Sequence, residues 1–523
     1  MNKTNKCILI FPPNWSACVS GAHLALPLIA GAIKATVSNI SVWDMSEEFY
    51  RLYGKQPDNV EIQKACANED IEKLDNLYFD WEDSFIPMAK KFNHSFGLLS
   101  GFSNGAFKAK NINTLAKKLN NETVFTNYFE TFVKIRLEQE EPNVIGISIS
   151  SYQQIFPVVE LLEKLRCWLP KCKIVLGGNI LTRLQGTESL EQLKSKANKI
   201  ILYQGETAMV DYITQLGSNT LNTENAGSEK IDFNDWPIPY FKGLNVGNYP
   251  GGVNTLSYVS ARGCYYGKCS FCAIPAGWSK SGFAGSAPGD FVVAQIKQMI
   301  ATTKINKIKF VDEAFFPGKV ESILSYYRLI GIEFFWEAYA RVEKQWENET
   351  LIKSAYESGC RRLYFGLEMA PSANREPLLK NDKGDIMAIM EKCKKYGILV
   401  HLFCMVGHPG TEAKDAELTV KFLVDNQHLV DTCDMVGFRL DRGTNVIGVK
   451  RKNKNFSDFA MSYEYEPVYK GGLTYKNVFK LEEFCQEILW EEVPRLLHPL
   501  YRIGNEWNIK TERKTPLFLQ INR

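Results

Sequence analysis

Within nine residues this chain places three cysteines, Cys264, Cys269 and Cys272, at spacing Cys-x4-Cys-x2-Cys, just behind the run Leu256 to Ser260. That run mixes aromatic and β-branched residues and predicts a strand, which Arg262-Gly263 breaks. Three thiolates so close in sequence can hold one metal centre. No fourth Cys or His lies nearby, because His is absent between His94 and His401. A closed four-ligand zinc knuckle therefore cannot be completed locally. Three thiolates on a cuboidal iron–sulfur cluster leave one iron open, and an open iron can activate a ligand. A site-differentiated 4Fe–4S cluster is the leading expectation; a zinc site and unrelated core cysteines are the alternatives.

The cysteine loop opens a strand–helix series. Strands are predicted at Leu256 to Ser260, Ile308 to Val311, Phe334 to Ala340, Arg362 to Leu367, Leu399 to Val406 and Met435 to Leu440. Helical patterns lie between them, as at Val292 to Thr303 and Ile386 to Tyr396. Six βα units suit an open six-stranded barrel, with chemistry at the carboxyl ends of the strands. Those ends carry Asp312-Glu313, Arg341, Glu368-Met369 and Gly407-His408-Pro409-Gly410, on the same mouth as the cysteines. Asp312 and Glu313 could equally be solvated caps, and Arg341 with Glu368 an ion pair across the barrel. Gly407 and Pro409 are expected to shape a close backbone approach, and His408 to be held by its turn.

An earlier series occupies residues 1–217. Cys7 to Phe11, Ile40 to Trp43, Val144 to Ile149, Ile174 to Leu176 and Ile200 to Tyr203 read as strands, and Leu24 to Val37 and Ile155 to Trp168 as helices. A charged, helical excursion with no chemical signature interrupts the series at about 51–140. The alternation predicts a doubly wound parallel sheet that binds ligands beyond its carboxyl ends. The loops there contain Trp15, Asp44, Ser148, Ser150, Gly177, Gly178, Gly205 and Glu206. Small residues let a backbone approach a large ligand, and free N–H groups can meet phosphate, although ordinary strand-to-helix turns look the same. Residues 218–245 form a polar, then Pro-punctuated linker that Trp236 and Tyr240 drop onto a surface. Residues 246–445 hold the barrel. From 446 to 523 the alternation stops: Arg451 to Lys454 is a short basic patch, and Glu482 to Leu497 predicts a helix burying Phe484, Ile488, Leu489 and Val493. This mostly helical extension is expected to cover the barrel mouth.

Lys plus Arg number 62 and Asp plus Glu 59, a net charge of +3, which suggests no nucleic-acid partner. The start, M-N-K-T-N-K-C-I-L-I-F-P-P, runs into a predicted strand without a signal-peptide pattern, and Leu24 to Val37 is too short and contains Lys34, so no membrane segment is expected. Thirteen cysteines, mostly scattered in apolar contexts, predict a reducing, cytoplasmic setting.

The cysteine loop resembles that of radical S-adenosylmethionine enzymes, which place Cys-x3-Cys-x2-Cys after the first strand of a partial α/β barrel. Cys264, Cys269 and Cys272 match the cluster ligands, and Phe271 the aromatic that approaches the adenine. One extra residue separates the first two cysteines, within Tyr265-Tyr266-Gly267-Lys268, and Gly267 can absorb it in a tight turn. The phrases around Phe11-Pro12-Pro13, Leu26-Pro27, Val175 to Gly178 and Gly205-Glu206 are similar to the Rossmann-like cobalamin-binding domain that precedes the barrel in a large subgroup. Asp-x-His-x-x-Gly is absent, since Gly21 stands two residues before His23. The resemblance therefore implies cobalamin without a histidine ligand, and a satisfied loop histidine at His23.

The same resemblance implies S-adenosylmethionine on the open iron, held with help from Asp312, Glu313, Arg341 and Glu368. It implies a C-methyltransferase acting on a natural-product or peptide precursor, with an electron donor such as flavodoxin or ferredoxin. A rearrangement or cyclisation with the same cofactors, and a non-catalytic metal-binding scaffold, are the alternatives.

Overall fold

The computed structural model of the chain describes residues 6–14, 21–103, 109–119, 123–218, 236–249, 255–278, 282–331, 333–444, 446–452, 457–468 and 472–504. Five parallel strands, β1 (Lys6–Phe11), β2 (Asn39–Asp44), β3 (Val144–Ser148), β4 (Lys173–Gly177) and β5 (Lys199–Ile200), form the first sheet in order β2-β1-β3-β4-β5. β1 and β3 are apolar along almost their whole length because helices cover both faces of the sheet. In this order the winding reverses between β1 and β3, which opens a crevice at their carboxyl ends. β5 stops at Ile200, short of the expected Tyr203, which adopts φ +58°. The first helix runs Ala25–Ile33, shorter than expected at both ends.

The excursion expected at 51–140 is mostly helical, with a small hairpin of Ser95–Gly97 and Gly101–Ser103. Its aromatic residues, among them Trp81, Phe85, Phe125 and Phe129, share one core with the outer face of the sheet.

The second sheet contains β6 (Thr255–Tyr258), β7 (Lys307–Phe310), β8 (Phe335–Ala340), β9 (Cys360–Glu368), β10 (Leu399–Val406) and β11 (Thr432–Gly437). All neighbours pair in parallel and in chain order, so the sheet is an open barrel with β6 and β11 at its edges. Ile308, Phe310, Trp336, Leu363 and Phe365 pack outward into one core with the helices. The alternate positions are polar: Ser257, Lys309, Glu337 and Arg362 lie in register across β6 to β9.

Trp236 is buried in the barrel core, while the Tyr240 N–H donates to the Pro27 carbonyl at 2.8 Å, so the linker's end touches both units. The extension from 446 is less helical than expected. Its first half makes one antiparallel strand pair of its own, Val449–Arg451 with Tyr465–Pro467, and a second with the chain before it, Ser462–Tyr463 with Leu440–Asp441. Its long helix runs Tyr475–Glu492, starting well before Glu482 and burying Val478, Cys485 and Leu489; Phe484, expected inside, is 51% exposed. The extension also packs on the first unit, where Phe459, Met461, Leu500 and Tyr501 join the core of the helical excursion. Among the described residues no helix is long and apolar enough to cross a membrane.

Candidate active site

The cysteine loop is fixed from below by Asp312. Its Oδ1 accepts from the Ser260 and Ala261 N–H groups at 2.5 and 3.0 Å, and its Oδ2 from the Ser260 hydroxyl at 2.5 Å. Burial pushes the Asp312 carboxyl up, and the Lys319 ammonium, which donates to the Ser260 carbonyl at 3.0 Å, acts against it. Glu313 accepts from the Gly263 N–H at 3.2 Å. These two carboxylates therefore shape the loop's entry; the expected contact of Asp312 with a cofactor is corrected to positioning, because its oxygens are buried and already accept from the Ser260 and Ala261 N–H groups and the Ser260 hydroxyl. The chain then runs through Ala261–Gly263, which pairs antiparallel with Phe283–Ser286 and brackets the loop.

Cys264, Cys269 and Cys272 are half-buried, unlike Cys7, Cys360, Cys393, Cys404 and Cys433, which are buried in the cores. Burial pushes the Cys269 thiol up to about 11, against the nearby Lys380 and Arg341 cations, and the Cys272 thiol up to about 12. Among the described residues no three Cys, His, Asp or Glu side chains converge as ligands of a single ion would. Zinc thiolates at about 2.3 Å from one centre would need such convergence. A cuboid takes its thiolates on different irons. Gly267, in the longer first gap, turns at φ +61°.

The loop is tied to the barrel tips. The Tyr266 hydroxyl donates to the Leu379 carbonyl at 2.6 Å, the Tyr265 hydroxyl to Glu343 at 2.9 Å, and the Ser270 N–H to the Leu378 carbonyl at 3.0 Å. Arg341 lies 4.0 Å over the Tyr266 ring and donates to Glu343 at 3.0 Å. Glu368, at φ +62° where β9 bulges, accepts from Lys380 at 2.8 Å. Arg341 and Glu368 are thus not an ion pair with each other. They are linked through Asp382, which lies 3.5 Å from both Arg341 and Lys380 and 2.9 Å from Arg375. Lys380 and Asp382 were invisible in the sequence because K-N-D-K-G-D reads as a solvated loop. His408 Nδ1 donates to the Pro409 carbonyl at 2.7 Å, and its Nε2 meets the Ser270 hydroxyl at 3.0 Å. Burial lowers His408 to about 4, so it is a neutral strut between the β10 tip and the loop. Phe271 meets that ring edge-on, centroids 6.3 Å apart. Gly407, at φ +72°, admits not a ligand but the long C-terminal helix, since a Cβ there would lie 2.7 Å from Val478.

A cavity of about 440 Å³ joins the two sheets. Leu9, Ile29, Gly146, Val175, Ile201 and Met209 line its apolar depth in the first unit, and Ser148, Ser150, Gly177, Gly178, Gly205, Glu206 and His23 its rim. Ser257, Val259, Lys309, Val311 and Tyr339 face it from the barrel. Gly178, at φ +108°, is needed because a Cβ would strike the Ile149 backbone at 2.2 Å. Glu206 pairs with Arg262 across the cavity wall, with Arg262 Nη1 3.2 Å from its Oε2. Burial alone would raise the Glu206 pKa, and the Arg262 guanidinium outweighs it and holds it below the usual range. Gln204 accepts from Arg262 at 3.3 Å, while its buried Nε2 finds no partner among the described residues. Asp44 does not line the cavity: it caps helix Met45–Tyr53 and accepts from the Tyr249 hydroxyl at 2.5 Å. Trp15 lies outside the described residues.

The sequence profile described as the Radical SAM superfamily matches residues 258–423, from the end of β6 to the helix after β10. The chain carries a radical SAM domain. An uncharacterised methyltransferase of Pyrococcus horikoshii is 28% identical over 191 residues, 36% of this chain and 40% of that protein, so the match spans less than half of the relative. The radical S-adenosylmethionine methyltransferase TsrM from Kitasatospora setae, solved with cobalamin and a 4Fe–4S cluster bound, superposes with a TM-score of 0.56 at 11% identity, covering 94% of this chain and 89% of TsrM. The cobalamin-dependent S-adenosylmethionine radical enzyme OxsB, solved with aqua-cobalamin and S-adenosylmethionine, gives 0.57 at 12% identity, covering 93% and 66%. The likeness to both extends over the first α/β unit of this chain as well as its barrel.

Proposed function

We propose that this chain is a cobalamin-dependent radical S-adenosylmethionine C-methyltransferase acting on a natural-product or peptide precursor. The observation that carries the reading is the cavity that runs from the apolar depth of the first sheet to the barrel interior beside the cysteine loop. Its donor set fits a large cofactor: small residues at Gly177, Gly178 and Gly205, the Ser148 and Ser150 hydroxyls, and the unpartnered Gln204 amide at the rim. The apolar lining from Leu9, Ile29, Val175, Ile201 and Met209 would hold the apolar parts of such a cofactor.

Cys264, Cys269 and Cys272 would hold the cluster as thiolates. Arg341, Lys380, Glu368 and Asp382 set cations and carboxylates against that loop, a pattern that complements the zwitterionic head of S-adenosylmethionine, and Phe271 offers a ring for its adenine. When bound, the cluster and the corrin supply one-electron cleavage of S-adenosylmethionine and methyl transfer to carbon. Asp312, Glu313 and His408 keep the cysteine loop in place, and the Arg262–Glu206 pair holds the barrel mouth against the first unit. The electron comes from a donor protein such as flavodoxin or ferredoxin.

The test is anaerobic turnover of reconstituted enzyme with methyl-deuterated S-adenosylmethionine and candidate substrates from neighbouring genes. The expected product carries a deuterated methyl group, with S-adenosylhomocysteine and 5′-deoxyadenosine both released. A product of unchanged carbon count, formed with 5′-deoxyadenosine alone, would assign the chain to rearrangement or cyclisation instead.

A further inference from the structure

Lys309 projects from β7 onto the barrel side of the cavity, where a neutral side chain would satisfy the fold at lower cost in desolvation. Its nearest carboxylate oxygen, Glu337 Oε1, is 3.5 Å away, longer than the roughly 2.7–2.9 Å of a charge-assisted hydrogen bond. Glu337 is also shared: its Oε2 accepts from the Tyr364 hydroxyl at 2.9 Å and faces Arg362 at 3.7 Å. The rings of Tyr339 and Tyr364 stand 5.4 and 4.9 Å from the ammonium. Burial opposes its charge, but the tyrosines and Glu337 outweigh that, so Lys309 stays protonated. An ammonium carries three donors, and one long contact uses at most one of them. The other charged groups on the cavity wall are already balanced, since Arg262 and Glu206 pair with each other.

We propose that Lys309 anchors a carboxylate of the substrate, with the Tyr339 ring against the apolar group that carries it. This rests on the reading of the cavity as shared by cofactor and substrate. A single monoanion suits the site; a phosphate dianion would leave buried charge unmatched by one ammonium already shared with Glu337. The substrate is thereby a free acid, an amino acid or a peptide presenting a carboxylate, not a neutral molecule.

The probe is benzoate against its uncharged analogue benzamide, titrated calorimetrically into enzyme loaded with cluster and cobalamin. Benzoate should bind at least ten times tighter than benzamide. Lys309→Gln should erase that preference and Lys309→Arg should keep it. Equal affinities in the unmodified enzyme, or no saturable benzoate binding, overturn the proposal without any variant having to fold. So does a Lys309→Gln protein that keeps the preference but takes up cobalamin tenfold more weakly, since the lysine would then serve the cofactor. Iron and cobalt are counted in every sample. A chain that takes up no cobalamin removes the cofactor reading, and the benzoate comparison still judges Lys309.

Discussion

Replacing Cys264, Cys269 or Cys272 by alanine leaves two thiolates, too few to hold a cuboid with one open iron. Each single variant should lose the iron and sulfide of the reconstituted protein and fall to background release of 5′-deoxyadenosine. Replacing Cys393, which burial holds as a protonated thiol in the barrel core, should change neither. Full cleavage in any of the three loop variants would remove the cluster assignment. The neighbouring question is His23. Burial lowers it to about 4, so it is neutral, and its Nδ1 accepts from the Ala25 N–H at 3.3 Å. A neutral ring that accepts at Nδ1 carries its proton on Nε2, which then has no lone pair for a metal. The ring also stacks on Phe11, 4.6 Å between centroids. His23→Ala should therefore leave the paramagnetic resonance spectrum of Co(II)-loaded protein unchanged, with no nitrogen superhyperfine splitting in either form. Splitting that vanishes in the variant would show that the tautomer is the other one.

At the scale of elements, Gly407 links the β10 tip to the C-terminal helix. A methyl group at its Cβ position would sit 2.7 Å from Val478 Cγ2, and φ +72° adds strain for any L side chain. Gly407→Ala should cost about 1–3 kcal/mol, the range for overpacking a tight contact, read as a lowered denaturant midpoint. Adding Val478→Ala should recover the steric part and leave the backbone strain; no recovery would mean the helix is not what the glycine accommodates. The six barrel strands were legible because each carries an outward row of large apolar, β-branched or aromatic residues and is followed by a helical pattern. β11 was placed three residues late because Thr432, Cys433 and Asp434 begin it, and Asp434 is made tolerable by Arg502 at 2.5 Å. Phe484 neighbours Cys485 on the helix, so the turn that buries Val478, Cys485 and Leu489 on the inner face swings Phe484 out to solvent. The cysteines were legible as a spacing. Asp312, Asp44 and Gly407 were not, since a strand-tip residue that braces the fold and one that meets a ligand look alike until the partner is seen.

For the whole molecule, the question is what keeps the two units aligned around one cavity. The interface core contributes, with Ala22, Leu24 and Leu28 of the first unit packed into the barrel cluster. The polar element is Arg262, which comes from the strand that feeds the cysteine loop and reaches Glu206 at the head of helix Glu206–Ser218. The side chains are only 6% and 15% exposed, and the Trp236 ring lies 4.9 Å from the guanidinium. Removing one partner of a buried pair strands the other charge, which costs about 3–5 kcal/mol, whereas replacing both by apolar groups is often close to neutral. Glu206→Gln should therefore lower the denaturant midpoint followed by tryptophan fluorescence, and Glu206→Leu with Arg262→Met should recover most of it. A pH series gives an independent sign. Because the folded Glu206 pKa is depressed, its contribution is complete above the unfolded value of about 4.3 and is lost as pH falls through the folded value. The unmodified protein should lose stability along that acid limb, and Glu206→Gln should lack that part of the loss. Cobalamin uptake should weaken in Glu206→Gln and return in the apolar double variant if the pair acts by holding the wall in place. A double variant that is stable yet still binds poorly would mean that the charges touch the cofactor themselves, and the latch would have to be reassigned as a binding group.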